Sequence, residues 1–304
     1  MSSTICLAPI LAVLMTSQSF VANDSYFVTK NTNQEILFDK FWPLRSELEN
    51  LSSKEIKSVA SKDVEEVNGF LKKNNFDIQL EQIDDPKAFY VASILDVLLI
   101  WKEKGLLSSI YDAELHKNYS AVEMKNSDQW KVFAPKTCSD NCLDCKDKIL
   151  EVTAKNCDKV YMKIAEKPLD GFDLMSKILE LQDSLSLLNV DESYDKILFP
   201  MVAIDQRVDI SWLKKLKLRF PGRDDFYGVA QALQQTKLKI DENGAVVKSA
   251  VAISWNHLKS MENFSLEFKI DKPFYLWVMR PGMTLPLVAA YVDKSSWKQS
   301  VNLK

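Results

Sequence analysis

The chain has 304 residues, 46% apolar and 10% aromatic, which is enough for a substantial core and argues against global disorder. A formal net charge of −3 and an isoelectric point near 5.6, with Lys and Arg scattered, argue against a nucleic-acid partner. Glycine occurs only seven times and neither GxGxxG nor GxxxxGK[ST] is present, so no dinucleotide or phosphate-loop cofactor is expected.

In chain order, "ICLAPILAVLM" (5–15) comes first. It has the length of a signal-peptide apolar core and is too short to span a bilayer; Ser17-Gln18-Ser19 offers small residues for cleavage, although no Lys or Arg precedes it. No other segment reaches eighteen apolar residues, so membrane insertion is not expected. Residues 34–50 have a helical pattern interrupted or restarted at Pro43. Residues 61–73 place Val64, Val67, Phe70 and Leu71 on one helix face, with Ser61 or Asp63 as N-cap. "AFYVASILDVLLIW" (88–101) is apolar on both alternating sets except at Ser93 and Asp96, and its β-branched and aromatic content favours a central strand over a buried helix. A charge in such a strand is costly unless paired, so Asp96 should face a partner or mark where the strand emerges.

Four of the five cysteines, Cys138, Cys142, Cys145 and Cys157, fall in 138–157, and Cys6 stands apart. Two disulfides pinning a surface insertion, free thiols, or a zinc site with a spacing unlike a standard finger all remain open. "KVYMKIAEKP" (159–168) reads as a strand and 172–188 as a helix carrying Leu174, Ile178, Leu181, Leu185 and Leu188. "YDKILFPMVAIDQRVD" reads as strand-like, and "DISWLKKLKLRF" as a short amphipathic helix. Near the end, "PFYLWVM" and "TLPLVAAYV" flank Arg280-Pro281-Gly282-Met283, a type II turn signature within a core hairpin. Early helices, long strands with helices between them and a β-rich end make the class α+β. Sequons at Asn23, Asn50, Asn118 and Asn263 are candidate glycosylation sites of a secreted chain; the alternative, if 1–19 is not a signal peptide, is a cytoplasmic one.

Nothing in the sequence marks an enzyme. His116 and His257 sit in polar segments with no nucleophile motif nearby, and no carboxylate pair stands out as an acid/base couple.

The order of segments resembles the serpin family. "ICLAPILAV" (5–13) is similar to the family's Ser-Pro-containing strand and the second helix that it feeds. Residues 64–104 resemble the helix lying across sheet A and the long strand ending in "FKGKW", with Trp101 at that tryptophan, in the breach of the sheet. Residues 150–178 resemble "LELPY…MLIILP…LEELE", and 197–218 resemble "LPKFKIE…YDLKDVLKKLG". "KLKIDENGAVVKSAVA" resembles the hinge "IEVNEEGTEAAAAT", and "FKIDKPFYLWVMR" resembles "FKADHPFLFLIR". The resemblance spans nearly the whole of 1–304 in collinear order and implies one serpin-like domain. That fold has a large central β-sheet, surrounding helices and an exposed reactive-centre-type loop.

The resemblance also implies a suicide-substrate inhibitor of a serine protease, acting as a monomer through residues 244–262. The protease cuts the loop, and the freed loop enters the sheet as a new strand. Glu242, Gly244, Ala245, Val247, Ser249 and Val251 fall in the hinge. By the family's alternation Ala245, Val247, Ser249 and Val251 face inward, while Val246, Lys248, Ala250 and Ala252 face outward. The inward set carries no charge. Departures are Ala245 for the hinge Thr or Ser, Val247-Lys248 within the small-residue run, and Gln234 for the preceding His. Counting from either flank puts the cut after Leu258 or after Glu262, with Lys259, Ser260 and Met261 between. Lys259-Ser260 would suit a trypsin-like protease. The alternative is a non-inhibitory serpin-like binding protein that has lost insertion.

Overall fold

A computed structural model describes residues 1–125, 128–135, 147–222, 226–246 and 266–298. The largest sheet has seven antiparallel strands in the order Ser3–Ile5, Val288–Val292, Phe274–Met279, Lys159–Ile164, Ile149–Thr153, Trp130–Ala134, Asn189–Val190. Its Phe274–Met279 and Val288–Val292 strands are buried on both faces, consistent with their unbroken apolar runs. Between them, Gly282 at φ 81° and the bond from the Met283 amide to the Arg280 carbonyl form the turn expected from Pro-Gly.

The stretch read either as a signal core or as the family's second helix is the helix Ala8–Val21, with Pro9 in its first turn and Leu7, Ala8 and Leu11 fully buried. Asp63 caps the helix Val64–Lys73 by accepting from the Glu65 amide. The helix Gly171–Ser184 buries Leu174, Met175, Ile178 and Leu181. Residues 34–50 are helical throughout but change winding, from α (Thr32–Ile36) through π (Leu37–Phe41) to 3-10 (Trp42–Asn50), with Pro43 opening the last segment.

The structure refines one expectation and changes two. The strand-like stretch 194–209 is two strands: Lys196–Pro200 pairs with Lys117–Lys125, and Val202–Val208 pairs with Gln234–Asp241, so the chain changes sheets at Met201. The expected amphipathic helix at 209–220 is a 3-10 turn, Ser211–Leu213, followed by Lys215 in the left-handed region and the strand Lys217–Arg219. Pairing with Tyr26–Val28 and Phe226–Gly228 outweighs the helical spacing of its leucines. The strand at 88–101 is broken at Asp96-Val97 into Tyr90–Leu95 and Leu98–Ile100. Its buried set switches there from Tyr90, Ala92 and Ile94 to Leu95, Val97, Leu99 and Trp101. This switch is why both alternating sets are apolar.

The two halves of that strand lie in different sheets. Tyr90–Leu95 pairs antiparallel with Ile56–Ser61. Leu98–Ile100 is the edge of a four-stranded antiparallel sheet ordered Val202–Val208, Gln234–Asp241, Gly244–Val246, Leu98–Ile100.

Candidate functional site

The hinge region is a hairpin. Gln234–Asp241 turns through Glu242-Asn243 into Gly244–Val246, with Asp241 opposite Gly244 and Ile240 opposite Ala245. The turn is closed by the Asp241 carboxylate, which accepts from the Asn243 amide at 2.9 Å. Burial works to raise the Asp241 carboxyl, but its bonds to Lys239 and to Asn243 outweigh that and hold it below the usual range. On its other edge Gly244–Val246 pairs antiparallel with Leu98–Ile100.

Trp101 anchors this hairpin. It is 1% exposed, its amide donates to Asn243 O at 3.0 Å, and its indole Nε1–H donates to Asp241 O at 2.9 Å. The Gly105 amide donates to Glu242 O at 2.8 Å, and Lys104 pairs with the Glu242 carboxylate at 3.7 Å. Trp101, Glu242, Gly244 and Ala245 are thus brought together. Ala245 is buried, on the inward side. Val247, Ser249 and Val251, the bait candidates Leu258, Lys259, Ser260, Met261 and Glu262, and His257 and Asn263 lie outside the described residues.

Below Val246 no described residue fills the next strand position. No described strand lies between Tyr90–Leu95 and the first half of Gln234–Asp241, and these two are not paired with each other. A cavity of about 410 Å³ fills the gap, lined by Leu14, Phe76, Tyr90, Ile94, Gln234 and Ala245 among others. Gln234 donates its amide to Cys6 O at 2.8 Å, while its Oε1 is buried without a partner.

The helix Val64–Lys73 and the chain after it lie over the gap. Val67, Leu71, Ile78, Tyr90, Ala92 and Ile94 form a small apolar cluster separate from the main core. The connection then reaches the far strand. Glu81 and Gln231 exchange amide bonds at 2.9 and 2.8 Å, the Asp77 amide donates to Gln235 Oε1 at 2.8 Å, and Lys237 reaches the Asp77 carboxylate at 3.3 Å. Bonds from Gln235 and then Lys237 hold the Asp77 carboxyl below its ordinary range. Sequence reading missed this strap, because its contacts join residues some 150 positions apart and no local pattern marks them.

The remaining candidates are more dispersed. Asn23, Asn50 and Asn118 are exposed. His116 is exposed in a turn, its Nδ1 3.2 Å from the Tyr111 hydroxyl. Asp96 is half-buried at the strand break, its amide bonded to Glu55 O. Cys157 is an exposed free thiol and Cys6 a buried one; Cys138, Cys142 and Cys145 lie outside the described residues, and no disulfide occurs among the described ones. No group of metal-ligating side chains occurs among the described residues either.

A hinge strand seated at the top of an open strand position, with a helix and its strap across that position, is the arrangement of a serpin-like fold. No protein-family model and no curated protein matches the sequence. Solved structures do. The chain is similar to the mouse protein-Z dependent protease inhibitor (13% identity, TM-score 0.56, covering 96% of this chain and 90% of that one). It is similar to a serpin from Schistosoma mansoni (10%, 0.53, 96% and 95%) and to thyroxine-binding globulin in complex with thyroxine (13%, 0.52, 94% and 98%). The fold is serpin-like.

Proposed function

We propose that the chain is a serine-protease inhibitor acting as a monomeric suicide substrate, its bait within 258–262 and its hinge at 242–251. The observation that carries this reading is the Gly244–Val246 strand, paired on both edges directly above an open strand position. Continuing its register would set Val247 against Leu238, Ser249 against Thr236 and Val251 against Gln234, all on the buried face. Lys248 would fall between Lys237 and Asp96 on the other face, away from the core and on the side that the strap covers. Filling the position would add on the order of ten backbone hydrogen bonds at about 0.5–1.5 kcal/mol each, a gain able to drive translocation of a bound protease.

The test is incubation with trypsin-like and chymotrypsin-like proteases, followed by denaturing gels and thermal melts. A complex that survives SDS supports the proposal, with Lys259 as the bait for a trypsin-like target. Cleavage within 255–263 with no complex and no gain in thermal stability sinks it and leaves the non-inhibitory binding protein. Action outside the cell belongs to the same proposal. Because Ser3–Ile5 and Ala8–Val21 build part of the fold, export would have to leave them in place. Mass spectrometry of protein recovered from culture medium checks this.

A further inference from the structure

We propose that the gap between Tyr90–Leu95 and Gln234–Asp241 is also a small-molecule site, taking an elongated, neutral, apolar ligand with one hydrogen-bond donor. The site goes beyond the inhibitory reading, since a ligand can enter whether or not the loop does.

Three observations select this class. The cavity volume of about 410 Å³ lies in the range of roughly 300–1,000 Å³ that small-molecule pockets occupy, and its walls are mainly aliphatic and aromatic. It passes from the apolar cluster beneath the strap, at Phe76, Ile78 and Leu80, to the core side, at Ile10 and Leu14, so it suits an extended molecule better than a compact one.

The second observation is Gln234, which is 8% exposed and lines the cavity. Its amide orientation is fixed because its NH2 donates to Cys6 O, which leaves Oε1 buried with no donor. A buried acceptor without a partner is costly, and a ligand hydroxyl or N–H would relieve that cost. The acceptors opposite other donors are already used: the Cys6 thiol, for example, donates to Leu287 O.

The third observation is charge. Among the described lining residues the one cation is Lys237, and it is held by the carboxylates of Asp77 and Asp205. A ligand carboxylate would be buried without a free counter-ion, so a fatty-alcohol-like molecule fits and a fatty acid does not.

The probes are 1-decanol and 1-methoxynonane, which have the same number of heavy atoms and differ in the donor. Binding is read by calorimetry and by the concentration dependence of the thermal midpoint. The full-length protein should prefer the alcohol by about tenfold, the equivalent of one good hydrogen bond. Gln234→Leu should reduce that preference to less than about twofold while still binding the ether. Should it fail to fold, Gln234→Asn withdraws the amide by one methylene and should also lose the preference. Ala92→Phe, which fills the gap, should lose both ligands. Equal affinity for the two probes, no binding up to their solubility limits, or a preference surviving in both Gln234 variants would each overturn the proposal.

A synthetic peptide of residues 245–256 separates this site from the inhibitory reading. Decanol binding without any peptide uptake leaves the ligand site standing and counts against loop insertion. Peptide uptake without decanol binding does the reverse. Binding of both should be competitive.

Discussion

Gly244 lies directly against the backbone of Leu99: a Cβ built on Gly244 would stand 1.9 Å from Leu99 O and 2.9 Å from Leu99 C. Real Cβ atoms do not approach that closely, so the pairing of Gly244–Val246 with Leu98–Ile100 requires glycine at its first position. The glycine at this position therefore has a steric reason in this chain.

Gly244→Ala should push the strand away from Leu99. We expect a loss of about 1–3 kcal/mol, as for overpacked interiors, and faster hydrogen exchange at the Ala245 and Val246 amides. Unchanged exchange and an unchanged urea midpoint would show that the strand does not depend on this contact.

Trp101→Phe keeps an aromatic ring against the hairpin but removes the donor to Asp241 O. A buried carbonyl losing its partner costs about 1–3 kcal/mol. The variant should unfold earlier in urea, and the 242–246 hairpin should become protease-sensitive before the seven-stranded sheet does. A uniform change in proteolysis across the chain would show that Trp101 is a general core residue.

Arg280 joins two elements through one guanidinium. Nε and one terminal nitrogen bond Asp158 at 2.9 and 2.8 Å, and the terminal nitrogens bond Glu55 at 3.1 and 2.6 Å. The Arg280 side chain is 13% exposed and Asp158 1%, so Arg280→Ala would leave a buried carboxylate uncompensated, at a cost of about 3–5 kcal/mol. Thermal denaturation measures this loss; Arg280→Lys, which has no bidentate fork, should recover only part of it.

The same network predicts a pH dependence. The hydrogen bonds from Arg280 lower the Glu55 carboxyl from 4.5 to about 2. A depressed carboxyl stabilises the fold above its unfolded value, so this contribution is complete above about pH 4.5 and is lost as the pH falls towards 2. Urea midpoints between pH 7 and pH 3 should fall more steeply for the parent protein than for Glu55→Gln. Parallel profiles would exclude Glu55 as a source of the acid sensitivity.

The two described thiols should behave oppositely. Burial pushes the Cys6 thiol up to about 12, and Cys6 lies 6% exposed in the core, whereas Cys157 is exposed in a turn. Iodoacetamide at pH 8 should label Cys157 in the native protein and Cys6 only after unfolding, as read by peptide mass spectrometry. Native labelling of Cys6 would mean that the core around it opens locally.

Much of the local structure was legible. The Pro281-Gly282 turn and the helix faces at 64–73 and 171–184 follow from side-chain periodicity and backbone sterics, which act over a few residues. The Lys217–Arg219 strand was not legible, because Leu213 and Leu216 just before it satisfy a helical spacing and only its pairing partners make it extended. The break at Asp96-Val97 left a trace in the sequence, an apolar run with both alternating sets filled, but the trace does not say which side chains face which way.

The sequence by itself determined the α+β class and the order of segments, since each depends on chemistry read along the chain. Tertiary structure decided the remainder. That Gly244 must fit against Leu99, that Trp101 holds Asp241, that Gln234 Oε1 is left without a donor, and that no described strand fills the position under the strap all depend on distant segments meeting. Burial and unsatisfied hydrogen bonds belong to those meetings, and no single segment carries them.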